Sequence, residues 1–429
     1  LPPLYLNPLL LQEIGKAGGV MQDDATSKRT SDVPAGLVFF GQFIDHDITF
    51  DDQSSLTATN DPEGVENVRT PTLDLDSVYG DGPEGDPYLY VEGLKLLTGQ
   101  DYVDASTPGD LRRYDLPRTP AMTAMIGDMR NDENRIISQM QLGFLRFHNR
   151  IVDVLGKKPN ASAGPALFEE ARRVVTLHYQ LIVVNDFLRT ICGNWIVDDI
   201  LANGRKVFRP EAMGICEPFI PIEFATAAYR FGHTMVPQLL RIQADGEPLP
   251  VFGEMLGNGF SPLSSVKQIV DWSLLLEGGD GSYERAGQVD TKLAQVLLDL
   301  PFMRPELPPF MRSLAVRNLL RGQSFLIPSG EQVGEAMMAA GAPEVTREMI
   351  ETVREMGKAL NLPKATPLWL YVLAEGKGIG RMDVNAQGQK TFAPGEGLGP
   401  VGARLVAEVI IGLLELDPRS FLGSNRSWS

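Results

Sequence analysis

Two cysteines in 429 residues are too few for a disulfide framework or, alone, for a metal site. Cys192 and Cys216 read most simply as two buried free thiols, with one bridge in an exported protein as the alternative. Basic residues are outnumbered: the net charge is −16, and no Lys/Arg run reaches the length of an interaction patch. That disfavours nucleic acid and anionic membrane as partners. Long apolar runs are also missing. Val406 to Leu414 is among the longest, and Glu408 interrupts it, so no segment reaches the ~18–20 residues of a transmembrane helix. The chain opens Leu-Pro-Pro-Leu-Tyr, without an initiator Met or a basic-then-apolar signal pattern. It therefore reads as a mature or trimmed fragment in which any signal is invisible, with a secreted setting favoured. There is no HExxH or CxxC pair and no GxSxG elbow. The glycines near 278–281 follow no strand, which removes a Rossmann or P-loop fingerprint.

What is present is helical. Length alone allows about three domains, but no linker separates independent cores and no repeat occurs. Residues 1–35 read as an N-terminal arm with some short helix, and 36–429 as one large, mainly α domain with long irregular loops and very little β. Residues 51–120, rich in Asp, Gly, Pro and Thr, form a long irregular connection, a kind of loop that is usually functional or disordered. From 133 onward, Ile137, Met140, Phe144, His148, Ile151 and Leu155 step by three or four along one buried helix face. Asn131 and Asp132 are candidate N-caps in front of it. Residues 165–200 predict a second long helical region. Further helices are expected near 221–239, 264–277, 287–298, 309–321, 330–340, 345–360, 364–375 and 399–415, and strands only at Arg241–Ile242 and Gln389–Phe392.

The chemistry concentrates in Gly41-Gln42-Phe43-Ile44-Asp45-His46-Asp47, which sets an amide, two carboxylates and an imidazole into an apolar segment. On a helix, Gln42 and His46 stand one turn apart on one face. Asp45 and Asp47 each lie about 100° from His46 and so serve different neighbours. Unsatisfied polar groups are costly in an apolar run, and such clusters often mark active sites. Of the other three histidines, His148 on its apolar stripe and His178 beside Tyr179 read as satisfied core residues. His233 follows Gly232, and glycine inside a helix costs about 1 kcal/mol unless something bulky, such as a cofactor plane, must approach. Two isolated histidines do not suit zinc, which wants a third protein ligand. They suit haem, which needs one axial imidazole and a polar group across the ring.

The motifs around these residues resemble the animal haem peroxidase family, the peroxidase–cyclooxygenase superfamily, in a bacterial form. The likeness runs from about Gly36 to Leu422. Gly41-Gln42-x-x-Asp45-His46-Asp47 is similar to the distal helix, and Thr70-Pro-Thr72-Leu-Asp74-Leu-Asp76-Ser-Val-Tyr79-Gly80 to the calcium loop. Asp128-Met-Arg130-Asn131-Asp-Glu133 is similar to the distal arginine segment, followed by Phe147-His148-Asn149-Arg150. Arg230-Phe-Gly232-His233-Thr234 is similar to the proximal helix, and Arg317-Asn318-Leu-Leu-Arg321-Gly322 to the segment behind it. Each motif alone is weak; the ordered set is strong.

The resemblance implies a haem b enzyme in which H2O2 oxidises iodide, bromide, thiocyanate or small phenols. His233 would ligate the iron, and Asn318 would accept a hydrogen bond from its other ring nitrogen. Arg321 and Arg230 would pair with the propionates. His46 would shuttle the peroxide proton, Arg130 would stabilise developing charge, and Gln42 would position water or halide. Asp45 and Glu133 align with the carboxylates that form haem esters, against a simpler pairing of Glu133 with Arg135 or Arg130. Thr70, Thr72, Asp74 and Asp76, spaced by two, offer hard oxygen ligands on one side of an extended loop, and Asp47 would complete a Ca2+ site. Without the resemblance, a solvated acidic loop is the simpler reading.

Departures bear on specificity. Asn134 stands where myeloperoxidase has the Met of its sulfonium link, associated with chloride oxidation. Asp76 replaces a frequent Ser. Arg230 occupies the place of the radical-forming Tyr of cyclooxygenases, with Tyr229 one residue too early. A haem fatty-acid dioxygenase is the enzyme alternative. A calcium-dependent extracellular interaction module with a degenerate peroxidase fold is the non-enzymatic one.

Overall fold

The computed structural model describes residues 1–24, 29–51, 54–56, 58–61, 64, 67–257, 259–277, 282–301, 303–362 and 364–424. It is mostly helical, and among these residues strand occurs only as four two-stranded antiparallel pairs. The interior is organised around Pro400–Leu416, a helix buried from Pro400 through Leu414. A helix apolar all round must be enclosed by other elements, and here Leu368–Gly378 and Asn194–Asn203 pack against it. Its two buried charges are satisfied internally. Arg404 pairs with Glu344, with Glu408 at 3.1 Å and with Asp199 at 2.7 Å. Glu408 also accepts the N–H groups of Lys206, Val207 and Phe208.

The Ala35–Ile48 helix crosses the core with Phe39, Phe40, Phe43, Ile44 and Ile48 buried. Thr49 ends it in an extended conformation, its hydroxyl bonded back to the Asp45 carbonyl at 3.0 Å. Behind it lies Arg135–Leu155, capped by Asn134, whose side chain accepts Ile137 N–H at 3.0 Å. Asn131 and Asp132, expected as caps, sit in the preceding 3-10 turn and serve other partners. The first residues are packed rather than loose: Leu11 and Ile14 of the Pro8–Gly15 helix are buried. A Cβ on Gly15 would lie 2.8 Å from the backbone nitrogen of Val316, so that approach requires glycine.

Several expectations are corrected. The 165–200 region is a helix to Ile182, a π turn over Val183–Leu188, a short helix Arg189–Cys192, and a new helix from Asn194 after Gly193 at φ 87°. Over 221–239 only Ile222–Thr226 is α-helical, followed by a 3-10 segment Ala228–Thr234. Carbonyls that a helix would use there go to side chains: Ala225 to Arg230 Nε at 2.8 Å, and Arg230 to Trp369 Nε1 at 3.1 Å. The helices expected at 264–277 and 287–298 shrink to turns, and Arg285–Gly287 pairs instead with Thr30–Pro34. The strand expected at Arg241–Ile242 is Leu239–Leu240, paired with Leu249–Pro250. Lys390–Ala393 pairs with Arg381–Val384. Cys192 is buried but Cys216 is exposed, and both are free.

Candidate active site

The Ala35–Ile48 helix and the 3-10 turn Met129–Asp132 meet at His46. Its Nδ1 lies 2.8 Å from Asn131 Oδ1, and Asn131 Nδ2 donates to Gln141 Oε1 at 2.9 Å. Because the Asn131 oxygen can only accept, Nδ1 carries the proton and Nε2 keeps a lone pair. Burial, then the neighbouring Arg130 charge, holds the His46 pKa down at about 4. His46 is thus a neutral base at neutral pH. Glu133 Oε1 lies 4.0 Å from Nε2 and accepts from Gln42 Nε2. Gln42 Oε1 accepts from Asn134 Nδ2 at 3.4 Å. Burial pushes Glu133 up to about 7 against the Arg130 charge, and the Asp45 charge adds to the rise. Arg130 is half-buried; its Nη2 donates to the His46 carbonyl at 2.9 Å and to Asp128 Oδ2 at 2.7 Å, and its guanidinium lies 4.5 Å over the Phe50 ring.

Asp45, half-buried and bonded by Thr49 Oγ1 at 2.9 Å, is felt electrostatically by Glu133 and by Arg230. Its charge thus reaches from the His46-bearing helix to the His233-bearing segment. Tyr229 joins these segments directly, donating from its hydroxyl to the Gly41 carbonyl at 3.2 Å while stacking on Phe224 at 4.7 Å.

On the Ala228–Thr234 segment His233 Nδ1 lies 2.8 Å from Asn318 Nδ2, and Asn318 Oδ1 accepts from Arg230 Nη1 at 3.3 Å. The contact is the expected one with the amide reversed. A guanidinium has only donors, so it claims the amide oxygen and leaves the amide nitrogen for the imidazole. Burial, then the Arg230 charge, lowers the His233 pKa to about 3, so the ring is neutral. Among the described residues nothing bonds its Nε2. A Cβ on Gly232 would meet nothing within 4 Å, leaving open space at the residue before His233. Burial lowers Arg230 to about 10, and Arg321 reaches Ser54 and, at 3.5 Å, Asp51. A neutral imidazole with a free nitrogen, open space at the preceding residue and two guanidiniums nearby fit an iron porphyrin with anionic propionates.

Behind the Ala35–Ile48 helix, Asp47, Asp74 and Asp76 bring carboxylate oxygens within 4.8 Å of one another. Thr70 Oγ1 lies 3.0 Å from Asp74 Oδ1 and 3.2 Å from Asp76 Oδ2, while the buried Thr72 hydroxyl has no hydrogen-bond partner among the described residues. The loop is not extended, as the spacing suggested. Leu75 adopts φ 62°, its N–H reaching Asp47 Oδ2 at 3.2 Å, and a helical turn from Asp76 brings the last carboxylate in. Three clustered carboxylates and an orphaned hydroxyl are hard donors that suit a calcium ion.

Residues 52–329 match the family described as animal haem peroxidase. The chain belongs to the animal haem peroxidase family. Within that family it is 25% identical to mouse (Mus musculus) thyroid peroxidase over 391 residues, 85% of this chain and 39% of that protein. It is 30% identical to human (Homo sapiens) eosinophil peroxidase over 275 residues, 60% of this chain and 36% of that one. The chain spans well under half the length of the curated relatives it matches. Peroxidase A from Dictyostelium discoideum shares the fold at TM-score 0.63 and 15% identity, covering 98% of this chain and 87% of that one. A fatty acid alpha-dioxygenase from Arabidopsis thaliana shares it at TM-score 0.59 and 15% identity, covering 97% and 71%.

Animal haem peroxidase membership implies haem. The fold gathers Gln42, Asp45, His46, Arg130 and Glu133 about the Ala35–Ile48 helix, and His233, Asn318 and Arg230, with Arg321 near it, about the Ala228–Thr234 segment. His148 is the core residue expected, held by Tyr79 and the Leu94 carbonyl, each at 3.0 Å. His178 donates to its own helix at Val174. Sequence reasoning placed Asp128 and Asn131 in the distal arginine motif, and Asn131 also as a cap candidate, but missed their partners. Asn131 bonds Gln141 and a histidine 85 residues away.

Proposed function

We propose that this chain is a haem peroxidase that uses H2O2 to oxidise iodide, bromide, thiocyanate or small phenols. The observation that carries this is His46, a neutral base locked by Asn131 and bonded through its carbonyl to Arg130. Bound haem supplies the redox equivalents that peroxide delivers and the donor consumes. His46 Nε2 accepts a proton from one peroxide oxygen and returns it to the departing one. Arg130 opposes the charge that develops between the oxygens, and Gln42, tethered to Glu133 and Asn134, orients water or halide. His233 would ligate the iron, with Arg230 and Arg321 on the propionates. With Arg230 drawn to a propionate, Asn318 is released to turn its oxygen to Nδ1–H, which fixes the imidazole and raises its basicity. Asp47, Thr70, Thr72, Asp74 and Asp76 would hold Ca2+.

Asp45 and Glu133 are proposed to form ester links to haem. After H2O2 turnover the wild type is expected to retain haem under acid–organic extraction. Asp45→Val and Glu133→Gln should each weaken retention, and the double variant should release it. Haem that extracts freely from turned-over wild type would exclude the links.

Donor choice follows from position 134. Asn134 caps the next helix and touches Gln42, and it cannot supply an electron-withdrawing sulfonium. A histidine made basic by its hydrogen bond also favours a lower iron potential. Iodide, thiocyanate and bromide turnover is expected, with negligible chlorination near neutral pH and no large red shift of the Soret band. A pyridine haemochrome assay paired with steady-state halide turnover tests both the activity and its range. Robust hypochlorous acid production would show that position 134 does not decide it. Fatty-acid dioxygenation is less favoured, because the Tyr229 hydroxyl is committed to the Gly41 backbone.

A further inference from the structure

Arg69 stands between the acidic cluster and the distal arginine. Its Nη1 lies 3.5 Å from Asp76 Oδ1, and its Nη2 lies 2.8 Å from Asp128 Oδ2 and 3.1 Å from the Gly127 carbonyl. Asp128 is buried and turns the same carboxylate to Arg130, whose Nε lies 3.1 Å from Oδ1 and whose Nη2 lies 2.7 Å from Oδ2. Arg130 Nη2 then reaches the His46 carbonyl at 2.9 Å. A continuous chain of charged contacts thus runs from Asp76 to the backbone of the distal histidine.

We propose that Arg69 is a positioning residue for Arg130, acting through Asp128 and coupled to the acidic cluster through Asp76; this rests on the peroxidase reading above. Two effects support it. Asp128 is gripped from both sides, so its oxygens are aimed rather than free to rotate, and a fork of parallel N–H donors fixes direction as well as distance. The charge balance matters as much. Arg69 and Arg130 share the Asp128 carboxylate, so its charge is not spent on Arg130 alone beside His46. Without Arg69, Asp128 neutralises Arg130 and weakens the charge that would face the peroxide. Asp76 supplies the link to the loop: a cation held by Asp47, Asp74 and Asp76 competes with Arg69 for Asp76, so occupancy of the cluster is felt at Arg130.

The test uses haem-loaded wild type, Arg69→Leu, Arg69→Lys, Arg130→Leu and the double variant Arg69→Leu/Arg130→Leu. In a crystal structure of Arg69→Leu, Arg130 is expected to close onto Asp128 and lose its bond to the His46 carbonyl. Its stopped-flow reaction with H2O2 should slow about ten- to a hundredfold, the scale of a misplaced catalytic group. Arg69→Lys should fall between, because one compact ammonium cannot span Asp76 and Asp128 as the two guanidinium nitrogens do. Placed in Arg130→Leu, Arg69→Leu should change the rate by less than about twofold, since its effect passes through Arg130. Equal slowing in both backgrounds, or unchanged Arg130 contacts in Arg69→Leu, overturns the proposal. If Arg69→Leu does not fold, Arg69→Lys carries both measurements. A wild type that binds haem but does not react with H2O2 removes the peroxidase reading, and the Arg130 geometry alone then decides the role of Arg69.

Discussion

His233→Ala should leave the purified protein without haem, while His46→Ala should keep haem and react with H2O2 about 10²-fold more slowly or worse, the usual scale for a positioned proton shuttle. The asymmetry follows from what the two imidazoles have beside them. His233 Nε2 has no protein partner among the described residues, and open space lies at Gly232 just before it, the arrangement of a ligand. His46 has Nδ1 fixed by Asn131 and Nε2 only 4.0 Å from Glu133, the arrangement of a base. Because the His46 pKa is held at about 4, the rate should be flat above pH 5 and fall as the ring protonates below about 4. Absorbance of the haem band gives occupancy, and stopped-flow mixing with H2O2 gives the rate. An unchanged rate in His46→Ala would remove the shuttle assignment.

The second large effect is expected at the acidic cluster. Calcium should stabilise the metal-free protein by about 4 kcal/mol when free calcium is a thousand times the dissociation constant, and chelation should remove that gain. Burial first, then Asp74 and Asp76, holds the Asp47 carboxyl well above its ordinary value; Asp76 is pushed up to about 6, chiefly by burial and against the Arg69 charge. The sign is set by the direction of these shifts. With no cation, the folded chain binds more protons here than the unfolded chain. This contribution is complete below the ordinary value of 3.8 and is lost as pH rises through about 6. Calcium replaces those protons, so the stability gap between calcium-loaded and chelated protein should widen across the same window. Urea unfolding at pH 4, 5 and 7, with calcium or chelator, measures it, and elemental analysis should find one calcium per chain. A gap independent of pH, or one that survives Asp74→Ala, would count against the site.

Much of the helical frame was legible because its signals are local. Strong periodicity and clear stops place Gly330–Ala339, Arg347–Ala359 and Pro400–Leu416 within a residue or two of expectation. The distal segment was legible for a related reason: Gln42 and His46 share a face through helix geometry alone. Elements whose backbone groups bond to distant side chains were not. The proximal segment carries helix-like composition, yet Trp369 and Arg230 take its carbonyls and tighten it to a 3-10 turn.

By itself, then, the sequence determined the mainly α architecture and the ordered motifs that carry His46 and His233, because these depend on residue type and short spacing. Tertiary structure decided most of the polar partners. His46 finds its amide 85 residues away, the Asn318 that the resemblance named for His233 turns its nitrogen to the ring, and Arg69 finds Asp128 because the 70–76 segment folds against the Met129–Asp132 turn. Local composition cannot encode such pairings, since burial leaves each polar group to the few neighbours that packing brings within hydrogen-bond reach.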